Sequence, residues 1–240
     1  MRLGIMQPYF FPYIGHFSLI ASVDKWVVFD ITQYTPRSWM NRNRILHPTS
    51  GWQYISVPLS NSSRSIKAYE ARIKNLQQTR VEILGKLEHY KKQAPYYQNV
   101  IKLVESCFER GVDDSLVKLN ANSLNVVCEY LGVPFSYQVC SELSLTLPDK
   151  MGPGDWAPTI SEQLGASEYL NPIAGRDLFE HSVFQKHGIE LLCAESREFK
   201  YETSSYQYES NLSILDVLMW NSPEILLAEL KQGANISKVR

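Results

Sequence analysis

The sequence has almost no net charge, with 24 Lys and Arg against 25 Asp and Glu in 240 residues. A chain this balanced has no bulk attraction to nucleic acid or to an anionic membrane, so any binding of anions has to be local. The counts of 12 Gly and 12 Pro are ordinary and exclude collagen-like and low-complexity chains. Because 44% of the residues are hydrophobic, intrinsic disorder is excluded as well.

Cysteine is scarce, and its spacing excludes the usual cysteine chemistry. The four residues lie far apart, at Cys107, Cys128, Cys140 and Cys193, and form no C-x-x-C pair. Structural zinc sites and redox pairs need close spacing, and disulfide scaffolds need more cysteines in a chain of this length. The sequence therefore predicts free thiols, a reducing cytoplasmic location and no metal site.

The chain also lacks a long uninterrupted apolar run. Residues 3–23 contain no Asp, Glu, Lys or Arg, but Gln7, Pro8, Pro12 and His16 interrupt them. A signal peptide needs a continuous apolar core, and a membrane span needs about 20 predominantly apolar residues. We expect neither a signal peptide nor a membrane span.

Short apolar runs alternate with helical patterns along most of the chain. Strand, turn, helix and strand follow one another within the first 31 residues, as in a βαβ unit. The pattern predicts an α/β fold, with a Rossmann-like, mostly parallel sheet flanked by helices. We expect a single domain over 1–240, with a helical subdomain inserted at about 77–131. Sites in such folds lie where loops leave the carboxyl ends of strands, here the loops 7–16, 32–44 and 171–177.

The first of these loops is rich in aromatic residues and proline. It reads M-Q-P-Y-F-F-P-Y-I-G-H-F over residues 6–17. Aromatic faces suit sugars and nucleobases, and amides and tyrosine hydroxyls can hydrogen-bond to them. We expect some of these rings to pack in the core and others to contact a ligand. The predicted binding residues are Gln7, Tyr9 and Tyr13.

His16 is a candidate catalytic residue in the same loop. The segment Y-I-G-H partly matches the H-x-G-H motif with which Rossmann-like nucleotidylyltransferases hold phosphates at a helix start. The match is partial because Tyr13 stands where the motif has its first histidine. Backbone amides at a helix start still favour anions.

The second loop concentrates positive charge in R-S-W-M-N-R-N-R, residues 37–44. Arginine forks match carboxylate and phosphate groups, and a tryptophan offers a stacking face. We expect Arg42 and Arg44 to bind an anionic small molecule, with Trp39 stacking beside them. Asn41 and Asn43 are candidate catalytic residues that would orient the acceptor or stabilise an oxyanion.

Two further sets of residues follow predicted strands. Asp30 ends the second strand and is a candidate general base, although a cap or an ion-pair partner fits equally well. Asn171 and Arg176 belong to the third loop, N-P-I-A-G-R-D. We expect both residues to bind substrate there.

Four segments together resemble the WbqC-like protein family, from residue 6 to about 221 and in the family's order. They are M-Q-P-Y-F-F-P-Y-I-G-H-F, W-M-N-R-N-R-I, Y-L-N-P-I-A-G-R-D-L-F and L-S-I-L-D-V-L-M-W-N. The resemblance implies a cytoplasmic protein of O-antigen or other surface-polysaccharide biosynthesis, described as a glycine or aminoacyl transferase acting on sugars. Members usually have Tyr where His16 stands.

The sequence thus predicts a transferase that attaches an amino acid or acyl group to an amino sugar or sugar nucleotide. Its partner would be a small anionic substrate, such as a sugar nucleotide, a nucleotide or an amino acid derivative. Two alternatives stay open, a nucleotidylyl- or adenylyl-transferring enzyme and a non-catalytic ligand-binding module. The sequence identifies no cofactor and no oligomeric state.

Overall fold

A computed structural model describes residues 1–111 and 113–239 of the chain. Its strands are β1 (Arg2–Met6), β2 (Lys25–Val28), β3 (Arg42–Leu46), β4 (Trp52–Ser56), β5 (Tyr137–Val139), β6 (Glu168–Pro172), β7 (Glu190–Glu195) and β8 (Asn235–Lys238). Six of them form one sheet in the order β5-β2-β1-β6-β7-β8, in which only β8 pairs antiparallel to its neighbour. The prediction of an α/β fold with a mostly parallel sheet is confirmed.

Eight α-helices connect and cover these strands in the described part of the chain. They are α1 (Ile14–Ile20), α2 (Leu76–Leu87), α3 (Tyr97–Glu109), α4 (Leu116–Leu131), α5 (Trp156–Gln163), α6 (His181–Lys186), α7 (Ile214–Trp220) and α8 (Pro223–Gln232). Buried side chains of α2, α3 and α4 belong to the same hydrophobic cluster as Phe17, Trp26 and Val28. The helices predicted as an insertion therefore share a core with the sheet.

The sequence patterns missed two strands. Residues 32–44 were expected to form a loop, but Arg42–Arg44 begin β3, which pairs antiparallel with β4 from Arg42 opposite Ser56 to Leu46 opposite Trp52. Asn43 and Ile45 point into the protein, whereas Arg42 and Arg44 lie on the opposite face. The alternate positions of β3 carry arginines, which do not indicate a strand in the sequence. In the structure these arginines contact aromatic residues of β4, and those contacts stabilise the strand. The exposed strand β8 was also not predicted.

The strand order places a crevice at the centre of the sheet. From β1 the chain proceeds to β2 on one side, whereas β6 lies on the other side. In open α/β sheets, ligands bind outside the carboxyl ends of strands where the order reverses in this way. The loop after β1 and the end of β6 meet at this point, and they carry three predicted binding residues, Gln7, Tyr9 and Asn171.

Residues 1–111 and 113–239 contain neither a membrane-spanning helix nor a cluster of metal ligands. None of the helices there is long and apolar enough to cross a bilayer. The four cysteines are buried and free, as predicted. In the same residues, no group of three or more His, Cys, Asp and Glu side chains is arranged to hold a metal ion.

Candidate functional site

Three cavities lie side by side along the carboxyl edge of the sheet. The first, which we call the arginine chamber, has a volume of about 410 Å³ and is lined by Tyr9, Tyr13, His16, Trp39, Asn43 and Arg44 among others. The second, the amide chamber, has about 600 Å³ and adjoins the first through Met6, Tyr9 and Pro172. A third cavity of about 410 Å³ lies beyond Tyr13, at the end of β7.

The aromatic loop divides its rings between core and cavity. Phe10 and Phe11 are fully buried, whereas Tyr9 and Tyr13 are half-buried and line the arginine chamber. The loop carries local strain, because Phe11 adopts a φ of 38°, in the left-handed region that non-glycine residues avoid. Such a conformation persists only where the surrounding structure imposes it.

Side chains from three distant segments impose this conformation. The Asn43 Nδ2 donates to the carbonyls of Phe10 at 3.0 Å and Phe11 at 2.8 Å, and the Ser213 Oγ donates to the Phe11 carbonyl at 2.7 Å. The Asn120 Nδ2 donates to the carbonyls of Pro8 and Met40, at 2.7 and 2.8 Å. The amide of Asn43 also accepts from its neighbour's backbone N–H. Asn43 therefore lines the chamber as a residue that holds the loop in place.

Arg44 brings positive charge to the arginine chamber. Its guanidinium lies 5.5 Å from the centre of the Trp39 ring and 5.0 Å from that of Trp52, so two aromatic faces contact it. Its Nε is buried without a hydrogen-bond partner. The ion pairs found among the described residues do not include Arg44. An arginine without a carboxylate in a cavity wall is suited to an anionic ligand.

His16 supplies a neutral imidazole to the same chamber. The side chain is 1% exposed, and its Nε2 is buried without a hydrogen-bond partner. The rings of Tyr9 and Trp26 lie 5.7 and 5.1 Å from it, centre to centre. Burial among these rings lowers the pKa of His16 to about 3. The imidazole is therefore unprotonated at neutral pH and can accept a hydrogen bond or a proton.

The start of α1 is covered by a side chain. A Cβ on Gly15 would lie 2.4 Å from the Tyr13 ring and 2.8 Å from the Ser196 Oγ, so only glycine fits beneath that ring. The Tyr13 ring thus covers Gly15 at the start of α1, and it lies between the arginine chamber and the third cavity. This geometry does not favour phosphate binding at the helix start.

Asn171 and Gln7 lie in the amide chamber. The Asn171 Oδ1 accepts from the Tyr169 hydroxyl at 3.1 Å, and its Nδ2 donates to the Pro172 carbonyl at 2.8 Å. A Cβ on Gly175 would lie 2.6 Å from this Nδ2, so the glycine allows the third loop to close over Asn171. The Gln7 Oε1 accepts a long hydrogen bond, 3.5 Å, from the Tyr9 hydroxyl.

The remaining predicted site residues lie outside both chambers. The carboxylate of Asp30 is fully buried and accepts from the Ser141 N–H at 2.9 Å and from the Ser141 hydroxyl at 2.6 Å. It thereby caps the 3₁₀ turn that follows β5, which is one of the roles considered for it. The other residues outside the chambers are Asn41, Arg42 and Arg176.

Sequence reasoning overlooked several residues that build the site. Asn211 lines the arginine chamber, and its carbonyl accepts from the Arg44 Nη2 at 3.4 Å. Asn211 has a φ of 55°, in the left-handed region that asparagine adopts more readily than most residues. Trp52 and Asn120 also went unnoticed, because their contacts with the site join segments that are far apart in the chain. The segment Asn211–Ser213 before α7 offered the one local signal, because a turn residue precedes a helix cap there.

Comparison with known proteins places this architecture in a family. The sequence model of the WbqC-like protein family matches residues 7–227. The chain belongs to the WbqC-like protein family. This WbqC-like protein is 28% identical over 219 residues to the uncharacterized protein Rv1507c of Mycobacterium tuberculosis, an alignment that covers 90% of this chain and 92% of the relative. No solved structure matches this chain. The matched region contains all the residues that line the two chambers except Ile5 and Met6.

Proposed function

We propose that the protein is a transferase of surface-polysaccharide or related biosynthesis, which attaches an amino acid or acyl group to an amino sugar or sugar nucleotide. The anionic part of the substrate would bind in the arginine chamber. The observation that carries the proposal is Arg44, which lines that chamber, whose guanidinium lies against two tryptophan rings, and which joins none of the ion pairs among the described residues. Membership of the WbqC-like family is consistent with such a substrate.

The chemistry of the chamber fits a direct transfer. The attacking amine or hydroxyl of the acceptor forms a bond to the carbonyl carbon of the donor, and the leaving group departs with its electron pair. The neutral Nε2 of His16 is the group in the chamber suited to accept the proton that the nucleophile loses. An anion held by Arg44 adds negative charge beside the imidazole, which raises its pKa and makes it a better base.

The arrangement of cavities suits a reaction of two substrates. The arginine chamber shares Tyr13, Pro172 and Asn211 with the third cavity. The third cavity is lined by both signs of charge, including Glu195 and Arg197. A donor and an acceptor in adjoining cavities would meet at Tyr13, which is the proximity that group transfer needs. A binding module that serves one ligand has no need of such a pair.

A transfer assay tests the proposal. The protein is incubated with aminoacyl or acyl donors and with amino-sugar nucleotides, and mass spectrometry detects the mass added to the sugar. We expect Arg44→Met to reduce transfer at least about a hundredfold, because a charge-assisted bidentate contact is lost. Arg64→Met, at an exposed arginine outside the cavities, serves as the control. Full transfer by Arg44→Met would refute the proposal, and ligand binding without transfer by the wild type would favour the binding module.

A further inference from the structure

The amide chamber differs in chemistry from its neighbour. Among the described residues, none that lines it carries a formal charge, whereas the arginine chamber contains Arg44. Its polar groups include the amides of Gln7, Gln33 and Asn171 and the hydroxyls of two threonines and two tyrosines. The two chambers meet at Tyr9, so a molecule that spans them would place an anionic group on one side of this ring and an uncharged group on the other.

Aromatic side chains give the amide chamber flat walls. Phe29 and Trp156 meet edge to face, with their ring centres 5.7 Å apart, and Tyr169 and Phe179 meet in the same way at 5.6 Å. Aromatic faces combined with neutral hydrogen-bonding groups suit a ring that is polar at its edge and apolar on its face. Sugars and nucleobases have this character.

We propose that the amide chamber binds the uncharged ring of the substrate, a sugar or a nucleobase, whose phosphate lies against Arg44. This inference rests on the proposed function and specifies its substrate as a ring joined to an anionic group. The Gln7 amide would bond to the edge of the ring, because its 3.5 Å contact with Tyr9 is easily exchanged for a ligand. Trp156 would cover a face of the ring.

Two other occupants fit the chamber less well. A free amino acid carries an ammonium and a carboxylate, and burying either without a charged partner is costly. A long acyl chain would leave the Gln7 amide with only its long contact to the Tyr9 hydroxyl in an apolar surrounding, which carries its own cost. The position of the chamber at the reversal of strand order, between β1 and β6, also suits a nucleotide-like ligand.

Isothermal titration with three probes tests the inference on the full chain. Inorganic pyrophosphate carries only the anionic group, uridine diphosphate adds a nucleoside, and glucose 1-phosphate carries an uncharged hexose on a monophosphate. The variants are Gln7→Leu, which removes the amide, and Trp156→Leu, which removes the aromatic ring. Gln138→Leu is the matched control, since Gln138 is also half-buried but lies on the edge strand β5.

We expect both chamber variants to raise the Kd of at least one ring-bearing probe about tenfold, the loss typical of one hydrogen bond or one stacked ring. The Kd of pyrophosphate should stay within about twofold, because that probe lacks a ring. The probe that responds tells whether the chamber takes the ring of a nucleoside or that of a hexose. The control Gln138→Leu should bind all three probes with the same Kd values as the wild type.

The failures of the two proposals are distinguishable. If Arg44→Met abolishes pyrophosphate binding while the chamber variants leave every ring-bearing probe unchanged, the ring site is refuted and the anion site stands. Equal weakening of all three probes by Gln7→Leu and Trp156→Leu also refutes the ring site. If the wild type binds no pyrophosphate, or Arg44→Met binds it as tightly, the anion site of the proposed function is refuted, and the ring site that rests on it falls as well.

Discussion

The buried imidazole of His16 makes the stability of the protein depend on pH in a way that one substitution removes. In the unfolded chain a histidine has a pKa near 6.5, whereas in the folded protein burial lowers the pKa of His16 to about 3. Between these values the unfolded state binds a proton that the folded state does not. The stability due to neutral His16 is therefore complete above about pH 6.5 and is lost as the pH falls towards 3.

The magnitude follows from the distance below the unfolded pKa. A pH of 5 is about 1.5 units below the unfolded pKa of 6.5, so the unfolded histidine is protonated there while the folded one remains neutral. At about 1.4 kcal/mol per unit, the folded state loses roughly 2 kcal/mol of stability relative to the unfolded state. The side chain is 1% exposed, so solvent screens this cost little. His89, whose pKa is lowered to about 4, adds a contribution of the same sign.

Urea unfolding at pH 8 and pH 5 measures this effect in the wild type and in His16→Phe. Phenylalanine fits among the rings of Tyr9, Phe17 and Trp26 and does not titrate. Other titrating groups, His89 included, contribute equally to both proteins, so the difference between the two pH dependences isolates His16. We expect the variant to lose about 2 kcal/mol less than the wild type on going to pH 5. Equal losses in the two proteins would refute the assignment of a neutral, buried imidazole.

Three further substitutions test how the site is supported. Asn43→Ala should cost about 2–4 kcal/mol in urea unfolding, because the carbonyls of Phe10 and Phe11 lose their common donor. Asp216→Ala should cost about 2–4 kcal/mol, since the buried carboxylate accepts from the Tyr90 and Tyr201 hydroxyls and from the Leu46 N–H, which would lose their acceptor, and a loss under 1 kcal/mol would contradict this network. Gly175→Ala should lower the thermal midpoint through overpacking against Asn171, whereas Gly85→Ala, where a Cβ meets open space, should not.

The sequence allowed prediction of those parts of the site that depend on local order. Loops that follow strands lie at the carboxyl edge of a parallel sheet, so the sequence could place Gln7, Tyr9 and Asn171 at that edge. That these residues line one cavity depends on the strand order, in which β1 and β6 are neighbours, and the sequence left this open. The free cysteines and the α/β class also followed from local spacing and pattern. The detailed relation to a Rossmann fold stays a prediction, as do the domain boundaries.

Contacts between distant segments could not be predicted. Asn43 was expected to orient a substrate, yet its amide bonds to carbonyls more than thirty residues away. Asp30 stands at a strand end as expected, but Ser141 from the neighbouring strand's turn takes both carboxylate oxygens. Arg44 was expected in a loop, and the aromatic partner that makes its strand stable, Trp52, is known only once β3 and β4 pair. In each case a partner far along the chain determines the role of the side chain.

The most direct test of the account is to locate the anion site by crystallography. Crystals soaked in tungstate, a heavy anion with a strong anomalous signal, would show where the protein binds an oxyanion. We predict the strongest anomalous peak within about 4.5 Å of the Arg44 guanidinium nitrogens, because the tungsten atom lies one bond beyond the oxygen that accepts the hydrogen bond, and we predict its loss in crystals of Arg44→Met with Arg64→Met unaffected. A strongest peak at the start of α1, or a peak beside Arg44 that persists in Arg44→Met, would contradict the central claim.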